Sequence, residues 1–190
     1  MINTPSRAFA KVSKNYIAGK WVESKGTQML NVVCPETQNI IGKVPQATEA
    51  EFNEAVECSK DTFKTWKNVP ISTKVRYMLK YQELLKQHSD DLCREINREH
   101  GKSLVDAAGD VFRGYECVEH ACSFSSLIQG ETIQSAGTGI DIYSFREPLG
   151  VVAGIAPYNF PAMIPLWMFP LSITCGNTYL LKPSEKVPGT

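Results

Sequence analysis

The chain has 190 residues, 43% hydrophobic and 21% charged, enough apolar material for one globular core, which excludes a disordered or fibrous chain. Twenty basic and twenty acidic residues cancel to zero, so no overall field draws the protein to nucleic acid or an anionic membrane surface. The longest apolar stretch, Leu149 to Thr174, is interrupted by Pro157, Asn159, Pro161, Pro165 and Pro170, which argues against a bilayer span of about 20 apolar residues.

Met1 to Asn15 carries Arg7, Lys11 and Lys14 with Ser6 and Ser13 and no acid, a composition that fits either a mitochondrial transit peptide or a frayed basic tail. YIAGKWV, residues 16 to 22, reads as a short hairpin turning at Gly19 and Lys20. Met29 to Val33 and Asn39 to Val44 read as strands, the second interrupted at Pro45. Thr48 with Glu51 forms a capping-box signature, and Phe52, Ala55, Val56, Phe63 and Trp66 recur at helical spacing, predicting a helix over about 49–67. Val75, Met78, Leu79 and Leu85 mark a second helix, Leu92 and Ile96 a third that Gly101 stops. A fourth, Leu104 to Ile128, carries Val111, Tyr115, Val118 and Cys122 on one face.

Glycines cluster from Gln129, and the segment to Arg146, with its alternating IDIYSF, reads as an extended ribbon. Leu149 to Ala156 predicts a buried parallel strand, Pro161 to Cys175 a helix and Thr178 to Leu181 a second strand. Strand, helix, strand is the opening of a doubly wound α/β nucleotide-binding domain, present here as its first unit.

Two motifs stand at the ends of those strands, where ligands bind in open α/β sheets. In IAPYNFP, residues 155 to 161, Pro157 and Pro161 stiffen the turn and aim Asn159, whose neutral amide offers two N–H donors to a developing oxyanion. The same pattern also fits a turn residue satisfying its own backbone. In LLKPSEKVPG, residues 180 to 189, Lys182 and Glu185 lie three apart and offer a donor and an acceptor to the two hydroxyls of a ribose. A solvated loop charge pair fits that spacing too. The six cysteines form no CxxC pair and fit intracellular thiols. No metal-ligand spacing links His88, His100 and His120, which read as structural.

PYNFP followed by KPSE resembles the aldehyde dehydrogenase superfamily, from about Tyr16 onward. GDVFRGYECVEHAC (109–122), YSFREPLGVVAGIAPYNFPAMIPLWMFP (143–170) and CGNTYLLKPSEKVPG (175–189) are similar to its CoA-acylating methylmalonate-semialdehyde branch. The resemblance implies that Asn159 is the side-chain half of an oxyanion hole, that Ala156, Pro157 and Tyr158 line an NAD site, and that Lys182, Glu185 and Lys186 hold the adenosine ribose. Where this chain has Lys186 and Tyr158, family members often carry Arg and Phe or Trp. Arg113, in the helix peculiar to the semialdehyde enzymes, is the candidate to grip the substrate carboxylate bidentately, a surface arginine being the alternative.

The implied fold is an aldehyde dehydrogenase-like α/β chain: a tail or transit segment (1–15), an N-terminal part of the NAD-binding domain (16–128), an extended oligomerisation ribbon (129–147) and the incomplete start of a Rossmann-like unit (148–190). The implied activity is oxidation of malonate or methylmalonate semialdehyde with NAD as cofactor and CoA as co-substrate, giving acetyl-CoA or propionyl-CoA with loss of carbon dioxide, in valine and pyrimidine catabolism. The expected setting is a homotetramer in the mitochondrial matrix, with the cytoplasm as the alternative. The family's nucleophilic cysteine comes far downstream, so Cys175 is assigned to the core and the 190-residue chain alone is expected to be inactive. Two other readings stay open: a hydrolytic aldehyde dehydrogenase acting without CoA, and a non-catalytic oligomerisation piece.

Overall fold

A computed structural model describes residues 11–190. The expected tail or transit segment therefore lies mostly outside the described residues, but its end does not run on as a tail. β1 (Lys11–Val12) pairs with the sheet, and β2 (Asn15–Ile17) opens a hairpin with β3 (Lys20–Val22). The hairpin turns at Ala18 and Gly19, both at positive φ (52° and 75°), not at Gly19 and Lys20 as expected. Two consecutive left-handed residues make the primed turn whose twist matches a two-residue hairpin. β4 (Met29–Val33) and β5 (Ile40–Pro45) pair antiparallel, and β1 lies parallel on the other side of β5.

Helix α1 (Glu49–Trp66) starts at the predicted capping box: the Glu51 N–H donates to Thr48 Oγ1 at 3.3 Å and the Thr48 N–H to Glu51 Oε2 at 2.8 Å. α2 (Ile71–Gln87) follows Pro70, and α3 (Ser89–His100) ends at the left-handed Gly101. α4 (Leu104–Cys122) is shorter than the predicted run to Ile128. Ser123 turns its hydroxyl back onto the His120 carbonyl at 2.8 Å, a local bond that competes with the helix, and a separate turn, α5 (Phe124–Leu127), follows. β6 (Thr132–Gly137) and β7 (Ile140–Tyr143) form an antiparallel hairpin with its strand residues exposed except the half-buried Gly137. The chain closes with β8 (Val151–Ile155), α6 (Met163–Thr174) and β9 (Thr178–Lys182), the two strands parallel.

The core runs along α4. Its Ala107 and Val111 meet Cys93 and Ile96 of α3 and Ala162; its Val118 meets Leu85 of α2 and Leu166 of α6. These contacts follow the 3.6-residue stripe, since 107, 111, 114 and 118 share one face. At Gly114 the helices touch: a Cβ there would lie 2.5 Å from Leu166 Cδ1 and 3.2 Å from Met163 Cα. α1 ties onto the last unit through Trp66 Nε1, which donates to the Ile173 carbonyl at 3.0 Å, and through Thr178 Oγ1, which donates to the Ser59 carbonyl at 3.0 Å.

The strand expected to be buried over Leu149 to Ala156 is only half covered. Ile155 is 75% and Leu149 92% exposed, because among the described residues β8 has one neighbouring strand and no second sheet partner.

Candidate functional site

Parallel pairing decides where the two motifs meet. Ile155 is in register with Lys182, and the Ala156 N–H donates to the Lys182 carbonyl at 3.0 Å. The turn carrying Tyr158 and Asn159 and the loop carrying Glu185 and Lys186 thus leave the carboxyl edge of the sheet side by side, two motifs more than twenty residues apart in sequence.

Asn159 is exposed, and among the described residues its side-chain amide forms no hydrogen bond. Its neighbours are held. Pro161 is buried behind it, and α6 begins with no capping side chain of its own, Ala162 standing at the cap. The missing cap comes from another helix: the Met163 N–H donates to Asp110 Oδ1 at 2.7 Å. Asp110 is 1% exposed, and its other oxygen accepts from Lys102 Nζ, also at 2.7 Å. The same ammonium lies 4.1 Å from the centre of the Phe160 ring.

That arrangement also closes the start of α6 to an anion. Free N–H groups and the positive end of the dipole make helix N-termini phosphate seats. Here Met163 is taken by a carboxylate, the Ile164 N–H donates to the Phe160 carbonyl at 3.2 Å, and Pro165 has no N–H to give.

On the second loop, Lys182 Nζ and Glu185 Oε2 pair with each other at 3.0 Å, both exposed. Glu185's own backbone N–H, and then Lys182, hold its carboxyl below the usual range. Lys186 Nζ sits 4.3 Å from the centre of the Tyr158 ring, and His100 stacks on the same ring at 6.2 Å. Tyr158 therefore bridges the two loops and the end of α3. Burial of His100 lowers its pKa. Beyond them the Gly189 N–H donates to Glu99 Oε2 at 2.9 Å, and burial pushes this carboxyl up to about 7.

Arg113 opens on a groove of about 600 Å³ bounded by Glu116, Cys117, His120, Met163 and Trp167. Its backbone carbonyl accepts from Trp167 Nε1 at 3.3 Å, while its guanidinium forms no ion pair among the described residues. Burial raises the pKa of the groove's thiol, Cys117, and of Cys175, so neither is tuned as a nucleophile. Cys175 is half-buried rather than sealed in the core, in a second groove with Lys74 and Arg146.

The model of the aldehyde dehydrogenase family matches residues 21–190. The chain belongs to the aldehyde dehydrogenase family. It is 53% identical, over 175 residues, to the mitochondrial acylating methylmalonate-semialdehyde dehydrogenase of Arabidopsis thaliana, covering 92% of this chain and 29% of that protein. To the methylmalonate-semialdehyde/malonate-semialdehyde dehydrogenase of Homo sapiens, also acylating and mitochondrial, it is 51% identical over 176 residues, 93% of this chain and 33% of that one. The crystal structure of methylmalonate-semialdehyde dehydrogenase from Oceanimonas doudoroffii superposes with a TM-score of 0.91 at 43% identity, over 94% of this chain and 36% of that one. A Sinorhizobium meliloti 1021 protein solved in complex with NAD gives 0.93 at 38% identity, over 96% and 37%. The chain spans about a third of the length of these relatives.

The fold is thus the aldehyde dehydrogenase α/β architecture over its N-terminal region. No group of three or more metal-ligating side chains occurs among the described residues, and none of their helices is long and apolar enough to cross a membrane. Of the residues packed around the Asn159 turn, sequence reading missed Asp110 and Lys102 and left His100 as a helix-end histidine. One signal was available. Asp110 lies three residues after Ala107 and four before Gly114, which puts a carboxylate on the apolar stripe of α4, where an unpaired charge is not tolerated.

Proposed function

We propose that this chain is the N-terminal portion of an NAD-dependent, CoA-acylating dehydrogenase of methylmalonate or malonate semialdehyde, giving propionyl-CoA or acetyl-CoA with loss of the acid's carboxylate as carbon dioxide. The observation that carries the reading is the groove that Arg113 lines with Met163, the first residue of α6. Asn159 lies four residues before Met163 in the chain, in the turn that leads into that helix. A semialdehyde acid presents both partners: a carboxylate for a guanidinium fork and a carbonyl oxygen that becomes an oxyanion on attack by a thiolate. The names of the relatives, at about half identity over nearly all of this chain, support the same substrate class.

The residues at the sheet edge fit NAD. Lys182 and Glu185 are exposed and already set as a donor–acceptor pair for two ribose hydroxyls, and Lys186 and Tyr158 form a cation–aromatic wall beside them. The buried Ala156 and the exposed Pro157 lead from β8 into the turn. When bound, NAD would supply the hydride acceptor. The chain's own part is to hold it, to orient the carboxylate through Arg113 and to donate to the developing oxyanion through Asn159. The exposed β6–β7 hairpin, with Ile133, Ile140 and Ile142 uncovered, is the surface we assign to homo-oligomer contacts, and the relatives' names favour a mitochondrial protein.

The test is turnover by the full-length protein with malonate semialdehyde, NAD and CoA. Asn159→Ala is expected to lower kcat by about 10²–10³-fold, the loss typical of one oxyanion donor. Arg113→Ala should raise KM for the semialdehyde acids and leave neutral aldehydes unaffected. Equal rates with and without CoA would replace this reading with the hydrolytic one. The 190-residue polypeptide on its own is expected to give no NADH, and steady turnover by it would overturn the assignment of its thiols.

A further inference from the structure

The geometry points to Asp110 and Lys102 as positioning residues for the Asn159 amide, an inference that rests on Asn159 donating to the oxyanion. Among the described residues Asn159 makes no side-chain bond of its own, so its direction is set by what holds the turn at either end. At the β8 end the hold is the Ala156 N–H to Lys182 carbonyl bond. At the other end the hold is Asp110, which accepts from the Met163 N–H, and Lys102, which reaches both Asp110 and the Phe160 ring beside Asn159. Lys102 is itself anchored, its carbonyl accepting from Asn97 Nδ2 at 2.7 Å.

The pair is costly as a pure stabiliser, because taking two charges out of water offsets most of their attraction, and apolar residues of similar volume often fold as well or better. What apolar packing does not supply is direction. A buried carboxylate with one oxygen on a backbone N–H and the other on an ammonium fixes the first peptide of α6 in orientation as well as in place. Neither residue touches the reacting atoms in this scheme, and neither moves a proton. They act through Asn159.

A double-mutant cycle in the full-length protein separates positioning from folding. Asp110→Ala, Asn159→Ala and the double variant are compared for kcat per folded site and for NAD affinity. Asp110→Ala is expected to lower kcat by about 10- to 100-fold, the scale of an ångström-sized misplacement of a catalytic group. NAD affinity should stay within about twofold, as for an interaction made only in the transition state. Asp110→Asn keeps a carbonyl acceptor for the Met163 N–H but sets its amide NH2 against the Lys102 ammonium, and should recover part of the loss. Because Asp110 acts through Asn159, the double variant should be no slower than Asn159→Ala alone, the signature of coupled sites. Unchanged kcat in Asp110→Ala, or losses that multiply in the double variant, overturns the positioning role. Unchanged kcat in Asn159→Ala instead overturns the oxyanion reading beneath it. Where Asp110→Ala does not fold, Lys102→Met takes its place in the cycle: a loss of kcat that vanishes in the Asn159→Ala background supports the role, and an unchanged kcat overturns it.

Discussion

Glu51 and Glu99 are both buried carboxylates, and their surroundings push them in opposite directions. Glu51 accepts from the backbone N–H groups of Thr48 and Lys25 and from the hydroxyls of Ser24 and Thr48, which hold its carboxyl down at about 2. Its contribution to stability is complete above the ordinary value of 4.5 and is lost as pH falls toward about 2. Urea unfolding of the parent and Glu51→Gln across that window should show the parent's advantage fading with acid; a constant gap would refute the assignment. Among the described residues Glu99 accepts one N–H, from Gly189, and desolvation dominates, so its carboxyl rises to about 7. The sign is reversed: the folded state keeps the proton longer than the unfolded chain, and stability falls as pH rises from 4.5 through about 7. Glu99→Gln, which never ionises, is expected to be the more stable form above that range, measured by thermal unfolding on either side of it.

Helix α4 is the element on which the site depends, because one face of it serves two purposes. Its apolar stripe packs on α2, α3 and α6, and on that stripe Asp110 caps α6 while Gly114 lets the two helices touch. A methyl at 114 meets Leu166, whose side chain can turn, and the Met163 backbone, which cannot turn without moving the start of α6. Gly114→Ala is therefore expected to destabilise by about 1–3 kcal/mol, the usual cost of overpacking a filled core. It should also lower kcat of the full-length protein through the Asn159 turn. Chemical denaturation with an activity assay checks both, and a neutral variant would show that α4 and α6 separate easily.

At the scale of the whole chain, much apolar surface is left uncovered. Phe145, Leu149 and Ile155 are each at least 75% exposed, along the hairpin exit and the outer strand β8. Exposed apolar side chains near a strand edge that has no partner among the described residues are a template for association. The isolated 190-residue chain is expected to self-associate and to bind a hydrophobic dye, and sedimentation at several concentrations measures it. A monomer with one sharp cooperative transition would argue the other way.

What the sequence by itself determined was local or periodic. The capping box at Thr48 and Glu51, the stop at Gly101, the α4 stripe and the strand–helix–strand order of the last unit depend on neighbours within a turn or two, so they are written in the spacing of residues. The PYNFP and KPSE motifs were legible as residues with donors and acceptors, and the family followed from them. Only the tertiary structure decided how they meet. Parallel register seats Ala156 against Lys182, Tyr158 falls between His100 and Lys186, and a carboxylate fifty residues upstream supplies the cap that α6 lacks. Such pairings carry no period along the chain, because they arise where separate elements pack and buried polar groups must find partners.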